Sequence, residues 1–87
     1  MGHLLVMWKG LLMEKYMDLN GDSGVEAYEI GRHSITVEFK DGNVYLYTYR
    51  SAGRVNVEKM QALARAGRGL NTFISQNIRA AFADKIR

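Results

Sequence analysis

The sequence predicts a small α+β domain: a three-stranded antiparallel sheet in the order β-β-β, followed by two C-terminal helices packed on one of its faces. Three observations carry that expectation. Ser34 to Lys40 alternates strictly between apolar and polar residues, and Asp41-Gly42 follows as a turn signal. Beyond Asn56 the apolar residues shift from strand to helical spacing. A run of strands followed by a run of helices is the pattern of an α+β fold, with the helices covering one sheet face.

The alternation places Ile35, Val37 and Phe39 on one face of a strand and Thr36, Glu38 and Lys40 on the other. Asp41-Gly42 turns the chain because glycine accepts a positive φ and aspartate tolerates it. Asn43 to Arg50 returns as a strand rich in β-favouring residues. Two registers fit this turn. A two-residue loop pairs Phe39 with Val44 and Val37 with Leu46, leaving Tyr45, Tyr47 and Tyr49 opposite the aliphatic face. A three-residue loop, Lys40-Asp41-Gly42 with a glycine bulge, pairs Val37 with Tyr45 and Ile35 with Tyr47 and buries the tyrosines. A lone hairpin is marginal in water, so Val25 to Ile30 is expected as a third strand, joined through Gly31-Arg32-His33.

Asn56 is the expected cap of the first helix, with Glu58 in its first turn, Val57, Met60, Leu63 and Ala64 as its buried stripe and Gly67 as its stop. Asn71 is the expected cap of the second, whose stripe is Ile74, Ile78, Ala81 and Phe82.

Composition bounds the object. A chain of 87 residues, 47% hydrophobic, is one domain with an ordinary globular core. Cysteine is absent, so neither disulfides nor a thiolate zinc site staple it. That absence points to a reducing compartment, and the expected location is cytoplasmic. The apolar residues Leu4 to Trp8 and Leu11 to Met13 are interrupted by Lys9-Gly10 and fall far short of the ~20 residues that span a bilayer. No membrane association is expected, and these residues lack the cationic start and cleavage site of a signal peptide. Residues 1–17 are therefore expected as an extension, disordered or partly helical, with the domain at residues 18–87. Four of the five methionines lie within residues 1–17, which makes Met13 a candidate translation start.

Charge is divided unevenly. Residues 1–49 carry four cations and seven anions, net −3, whereas residues 50–87 carry eight cations and two anions, net +6. Such asymmetry points to an anionic partner, against the plainer reading of a solvated basic face. Catalytic residues are not in evidence. His33 falls in a turn beside Ser34, and neighbouring strand residues point to opposite faces, so the two do not make a nucleophile and base. Asp18, Asn20, Asp22 and Glu29 match positions 1, 3, 5 and 12 of an EF-hand loop. Ser23 stands where that loop needs glycine, and strand patterning follows where it needs a helix, so neither metal nor cofactor is expected.

Ser23-Gly24-Val25, the Ser34-Ile-Thr-Val-Glu-Phe strand, Asp41-Gly42, Val44-Tyr-Leu-Tyr47 and the closing Gly69-Leu-Asn-Thr-Phe-Ile-Ser-Gln-Asn-Ile-Arg79 together resemble the KTSC domain. That family occurs at the C-terminus of some lysyl-tRNA synthetases and as stand-alone bacterial proteins. The resemblance runs from about Ser23 to Arg79, with Ser51-Ala52-Gly53 where the family commonly has prolines. The family has no established activity; what the resemblance implies is RNA binding, through its association with the synthetase. Two function classes follow, neither enzymatic. The first is a binding module for RNA or another polyanion, with Arg50, Arg54, Arg65, Arg68 and Arg79 on phosphates and Tyr45 and Tyr47 stacking bases. The second is a protein-interaction module, homodimeric in its simplest form, using a sheet edge or the Leu4 to Trp8 segment.

Overall fold

The computed structural model describes residues 5–8, 11–21, 23–78 and 80–87, with backbone alone at 5–8 and 11–12. The elements are β1 (Leu5–Trp8), β2 (Leu11–Lys15), β3 (Val25–Ile30), β4 (Ser34–Phe39), β5 (Val44–Thr48), α1 (Tyr49–Ala52), α2 (Arg54–Ala66), α3 (Leu70–Phe73) and β6 (Asp84–Lys85). One π-helical turn, Ile74–Ile78, continues α3. Among the described residues six strands form one sheet in sequence order, every neighbouring pair antiparallel.

The α+β class holds, but the three-stranded sheet does not. The expected strands are β3, β4 and β5; β1 and β2 extend the sheet on one side, and the two-residue β6 closes the other. The expected extension at residues 1–17 is therefore corrected where it is described: residues 5–8 and 11–15 belong to the sheet. Glu14 and Lys15 pair with Tyr28 and Ala27, Met13 and Tyr16 are buried, and the Tyr16 hydroxyl accepts a hydrogen bond from Leu70 N–H at 3.3 Å. Two short apolar runs separated by Lys9-Gly10 are themselves a hairpin pattern.

The three-residue register is the one adopted. Phe39 N–H donates to Asn43 O at 2.8 Å and Gly42 N–H to Phe39 O at 2.9 Å, with Gly42 at φ +95°. Val37 consequently faces Tyr45 and Ile35 faces Tyr47. In β3 a bulge between Val25 and Ala27 inserts Glu26. Strict alternation would send Val25 and Tyr28 to opposite faces; the extra residue returns both to the same one. Val25, Tyr28, Ile35, Val37 and Tyr47 thus form one buried surface. Val57, Met60 and Ala64 from α2 cover it, with Leu70, Ile74 and Ile78 from the second helical segment. Ala27, Thr36 and Val44 alternate onto the other face and are buried as well.

The helix boundaries differ from expectation in informative ways. Gly53, not Asn56, precedes α2, and the Asn56 side chain reaches back to Ala52 O at 2.8 Å. With the helix beginning at Arg54, Glu58 lies beyond the first turn and pairs with Arg54 one turn earlier. Gly67 ends α2 as expected, in the left-handed region at φ +75°. Asn71 lies inside α3, which starts after Gly69. Described helix ends at Ile78, so Ala81 and Phe82 reach the core from irregular backbone rather than from a helical stripe. Past them Ala83 N–H donates to Leu46 O at 2.7 Å and Ile86 N–H to Val44 O at 2.8 Å, which makes β6.

Tyr47 is 1% exposed, and Tyr47→Ala is expected to lower stability by about 3–5 kcal/mol, as for other large aromatic deletions, in denaturant titration. Burial, with a smaller effect of Tyr45, pushes its hydroxyl up to about 12. A pKa raised in the folded state gives stability that is complete below the unfolded value and lost as pH rises through the folded one. Alkaline unfolding is therefore expected between pH 10 and about 12, and Tyr47→Phe is expected to remove that component. At Gly67 a Cβ would sit 2.8 Å from Met17 Cβ in addition to the positive φ. Gly67→Ala is expected to cost about 1–2 kcal/mol or more, read as a lowered melting temperature.

Candidate nucleic-acid interface

Thr48 and Ser51 stand three residues apart and cap each other: Ser51 N–H donates to Thr48 Oγ1, and Thr48 N–H to Ser51 Oγ, both at 3.0 Å. This reciprocal capping turns the chain out of β5 into α1 immediately at Tyr49. Tyr49 therefore leaves the face shared by Tyr45 and Tyr47 and stands at the end of the sheet. The neighbouring β3–β4 turn brings His33 beside it, with ring centroids 4.9 Å apart. Tyr49 N–H donates to His33 O at 3.0 Å.

Gln61 fixes this turn from beneath. Its side-chain amide donates to Gly31 O at 3.2 Å and to Ser34 O at 2.9 Å, linking α2 to a loop about thirty positions earlier in the chain. A Cβ on Gly31 would meet Ser34 Oγ and oblige that hydroxyl to turn aside, so the two residues approach closely here. From α2, Arg54 lies 5.9 Å from the Tyr49 ring centroid. The Tyr49 hydroxyl and Arg54 Nε both donate to Glu58 Oε2, at 3.0 and 3.1 Å. Arg54, then Tyr49, hold the Glu58 carboxyl below its usual value. Desolvation first, then Glu58, raises the Tyr49 hydroxyl, and Glu58 raises Arg54. His33, Ser34, Thr48, Tyr49 and Arg50 line a shallow depression of about 400 Å³ here. Arg32, His33, Arg50 and Arg54 are exposed around it.

The residues expected to bind nucleic acid are thus dispersed. Arg50 and Arg54 come together at this end. Arg65 lies in the last turn of α2; burial, then Glu14, raises the Tyr28 hydroxyl, and Arg65 is near enough to oppose that rise in part. Arg68 lines a small depression beyond that end of α2. A helix of thirteen residues separates its ends by about 18 Å, so Arg54 and Arg65 do not share one patch. Arg79 lies outside the described residues. Tyr45 and Tyr47 do not form an open stacking face. The helices cover that face; Tyr47 is buried and Tyr45 half-buried, its ring 4.6 Å from Phe82 and 5.9 Å from Phe39. The correction follows directly from register, since the three-residue loop puts both tyrosines beside Val37 and Ile35.

Sequence reasoning weighs Tyr49 only as one of a tyrosine row, takes His33 for a turn residue, and does not mark Gln61. Thr48-x-x-Ser51 is the sequence signal that separates Tyr49 from the other tyrosines; nothing local marks Gln61, whose partners are distant in the chain. The loop considered as an EF-hand is engaged otherwise. Asp18 accepts from Lys40 Nζ and Ser23 N–H, each at 3.0 Å, and these hydrogen bonds lower its pKa. Among the described residues no three His, Asp or Glu side chains gather as a metal site, and no helix is long and apolar enough to cross a membrane. Comparison with protein-family models, curated proteins and solved structures finds no match to this chain.

Tyr49→Phe removes one of the two donors to Glu58 Oε2, so the Glu58 carboxyl is expected to rise towards 4.5 in an NMR titration. Because its folded value is depressed, the stabilising effect of Glu58 is present above 4.5 and lost as pH falls through the folded value. The variant is expected to lose part of that acid-side dependence.

Proposed function

We propose that this chain is a non-catalytic RNA-binding module of the KTSC type, and that it contacts RNA through the His33, Tyr49, Arg50 and Arg54 end of the sheet. The observation that supports this reading is the Tyr49 ring, flanked by the His33 ring and the Arg54 guanidinium, with Arg32 and Arg50 exposed nearby. An aromatic face bordered by guanidinium groups suits an unpaired base and its phosphates, because bases stack on rings while cations neutralise the backbone. Glu58 is the acidic partner in this cluster, already engaged by Arg54 and Tyr49. A cytoplasmic location goes with this role and agrees with the cysteine-free composition.

The test is fluorescence anisotropy with single-stranded RNA and tRNA across a salt series. Affinity is expected to fall steeply with salt, and Arg50→Glu with Arg54→Glu to flatten the logarithmic salt slope by about 1.4, two phosphates at ~0.7 each. Tyr49→Ala is expected to weaken single-stranded RNA by about 1–3 kcal/mol. Absence of binding at low salt would end the RNA reading and favour the protein-interaction class, which light scattering then tests for a homodimer.

A further inference from the structure

Two depressions meet at Asn71, away from the basic end just described. The larger, about 550 Å³, lies between the β4–β5 hairpin and the second helical segment and is floored by Phe39, Tyr45, Tyr47, Ile74 and Phe82. Among the described residues its rim is polar and carries no cation: Asp41, Asn43, Asn71 and Ser75. Asp41 is held in place by Asn43, whose N–H and side-chain amide each donate to its carboxylate at 3.0 Å. A flat ring laid on Tyr45 and Phe82 would meet amide donors and acceptors at its edge, and the Asp41 carboxylate would accept from an exocyclic amine.

The smaller depression, about 120 Å³, has the opposite character. Arg68, Thr72, Asn20, Ser23 and Tyr16 bring donors into it. Ser23 Oγ and the Tyr16 hydroxyl already accept from Val25 and Leu70 N–H, so their own protons are left for an acceptor in the site. Tyr16 is 2% exposed, so its hydroxyl is presented by the core rather than by a mobile side chain. Among the described residues Asp18 is the carboxylate lining this depression, and its charge is met by Lys40 at 3.0 Å. Arg68 has no ion pair among the described residues. A volume equal to about four waters at ~30 Å³ each suits a compact oxyanion.

The geometry points to a nucleotide-binding site across Asn71, with the base in the aromatic groove and the phosphate at Arg68. The ligand class is a single 5′-phosphorylated nucleotide with an amino-bearing base, either free or as the terminal residue of an RNA chain. The site stands without the RNA reading above. Tyr45 and Tyr49 are separated by about 13 Å along the strand direction, and their polar surroundings share no residue.

The experiment follows amide shifts of the ¹⁵N-labelled full chain during titration with AMP, adenosine and inorganic phosphate. AMP is expected to give saturable shifts at Asn43 and Ser75, at Gly69 and Thr72, and at the shared Asn71. Adenosine is expected to move Asn43 and Ser75 without Gly69 and Thr72, and phosphate the reverse. Arg68→Ala is expected to weaken AMP about tenfold, towards the affinity of adenosine, without altering adenosine binding. Ser75→Trp, at an exposed position, fills the groove and is expected to abolish both. A 5′-phosphorylated oligoribonucleotide that competes with AMP identifies an RNA end as the source; failure to compete identifies the free nucleotide. Absence of saturable AMP shifts, or AMP binding unchanged by Arg68→Ala, would overturn the assignment. Arg50→Glu with Arg54→Glu is expected to leave AMP binding intact, which separates this site from the fate of the RNA reading.

Discussion

Gly42 adopts a φ of +95° to let β4 return as β5 through three residues, and the placement of every residue in β5 follows from that turn. Asp41 supports it by accepting from Asn43 N–H. Side chains in a strand alternate, so a turn one residue shorter would exchange the two faces of β5. With three residues, Tyr45 and Tyr47 join Val37 and Ile35 under the helices, while Val44 and Leu46 take the other side. The core under α2 is aromatic as well as aliphatic, and Tyr45 stays half-open where the helices end.

The same economy of single residues recurs elsewhere. Glu26, the extra residue of the β3 bulge, lets Val25 and Tyr28 share the helix-covered face. Polar side chains then fix the helices against the sheet at two points. Gln61 holds the β3–β4 turn through two carbonyls, and Tyr16 meets the backbone at the start of α3. Among the described residues no buried side-chain nitrogen or oxygen lacks a hydrogen-bond partner, which matters because a buried orphan costs about 1–3 kcal/mol. These ties also position the surfaces: one presents His33 beside Tyr49, the other places the Tyr16 hydroxyl beside Arg68.

Much of this fold was legible in the sequence, and the failures have identifiable causes. Alternation in Ser34 to Lys40, the Asp41-Gly42 turn, the strand at Val25 to Ile30 and the stop at Gly67 are local signals, and local signals held. The expected N-terminal extension fails because two short apolar runs, too short to span a bilayer, suit paired strands equally well, and Leu5–Trp8 and Leu11–Lys15 do pair. The two-residue β6 has no pattern to read; it exists because Val44 and Leu46 offer backbone partners. For the candidate site, composition located the positive charge in the second half but not its arrangement. Spacing along the chain does not show that α2 separates Arg54 from Arg65, nor that a capping pair removes Tyr49 from the tyrosine row.

The basic end of the sheet and the aromatic groove are both consequences of that register. Tyr49 is available for stacking because it leaves the strand, and Tyr45 lines a groove because it does not. The most direct measurement is a set of cross-strand Hα–Hα NOEs within the hairpin. The account predicts them between Thr36 and Leu46 and between Glu38 and Val44, with NOEs from the Tyr47 ring to the methyl groups of α2. Contacts pairing Val37 with Leu46 and Phe39 with Val44 instead, with a solvent-exposed Tyr47 ring, would contradict it.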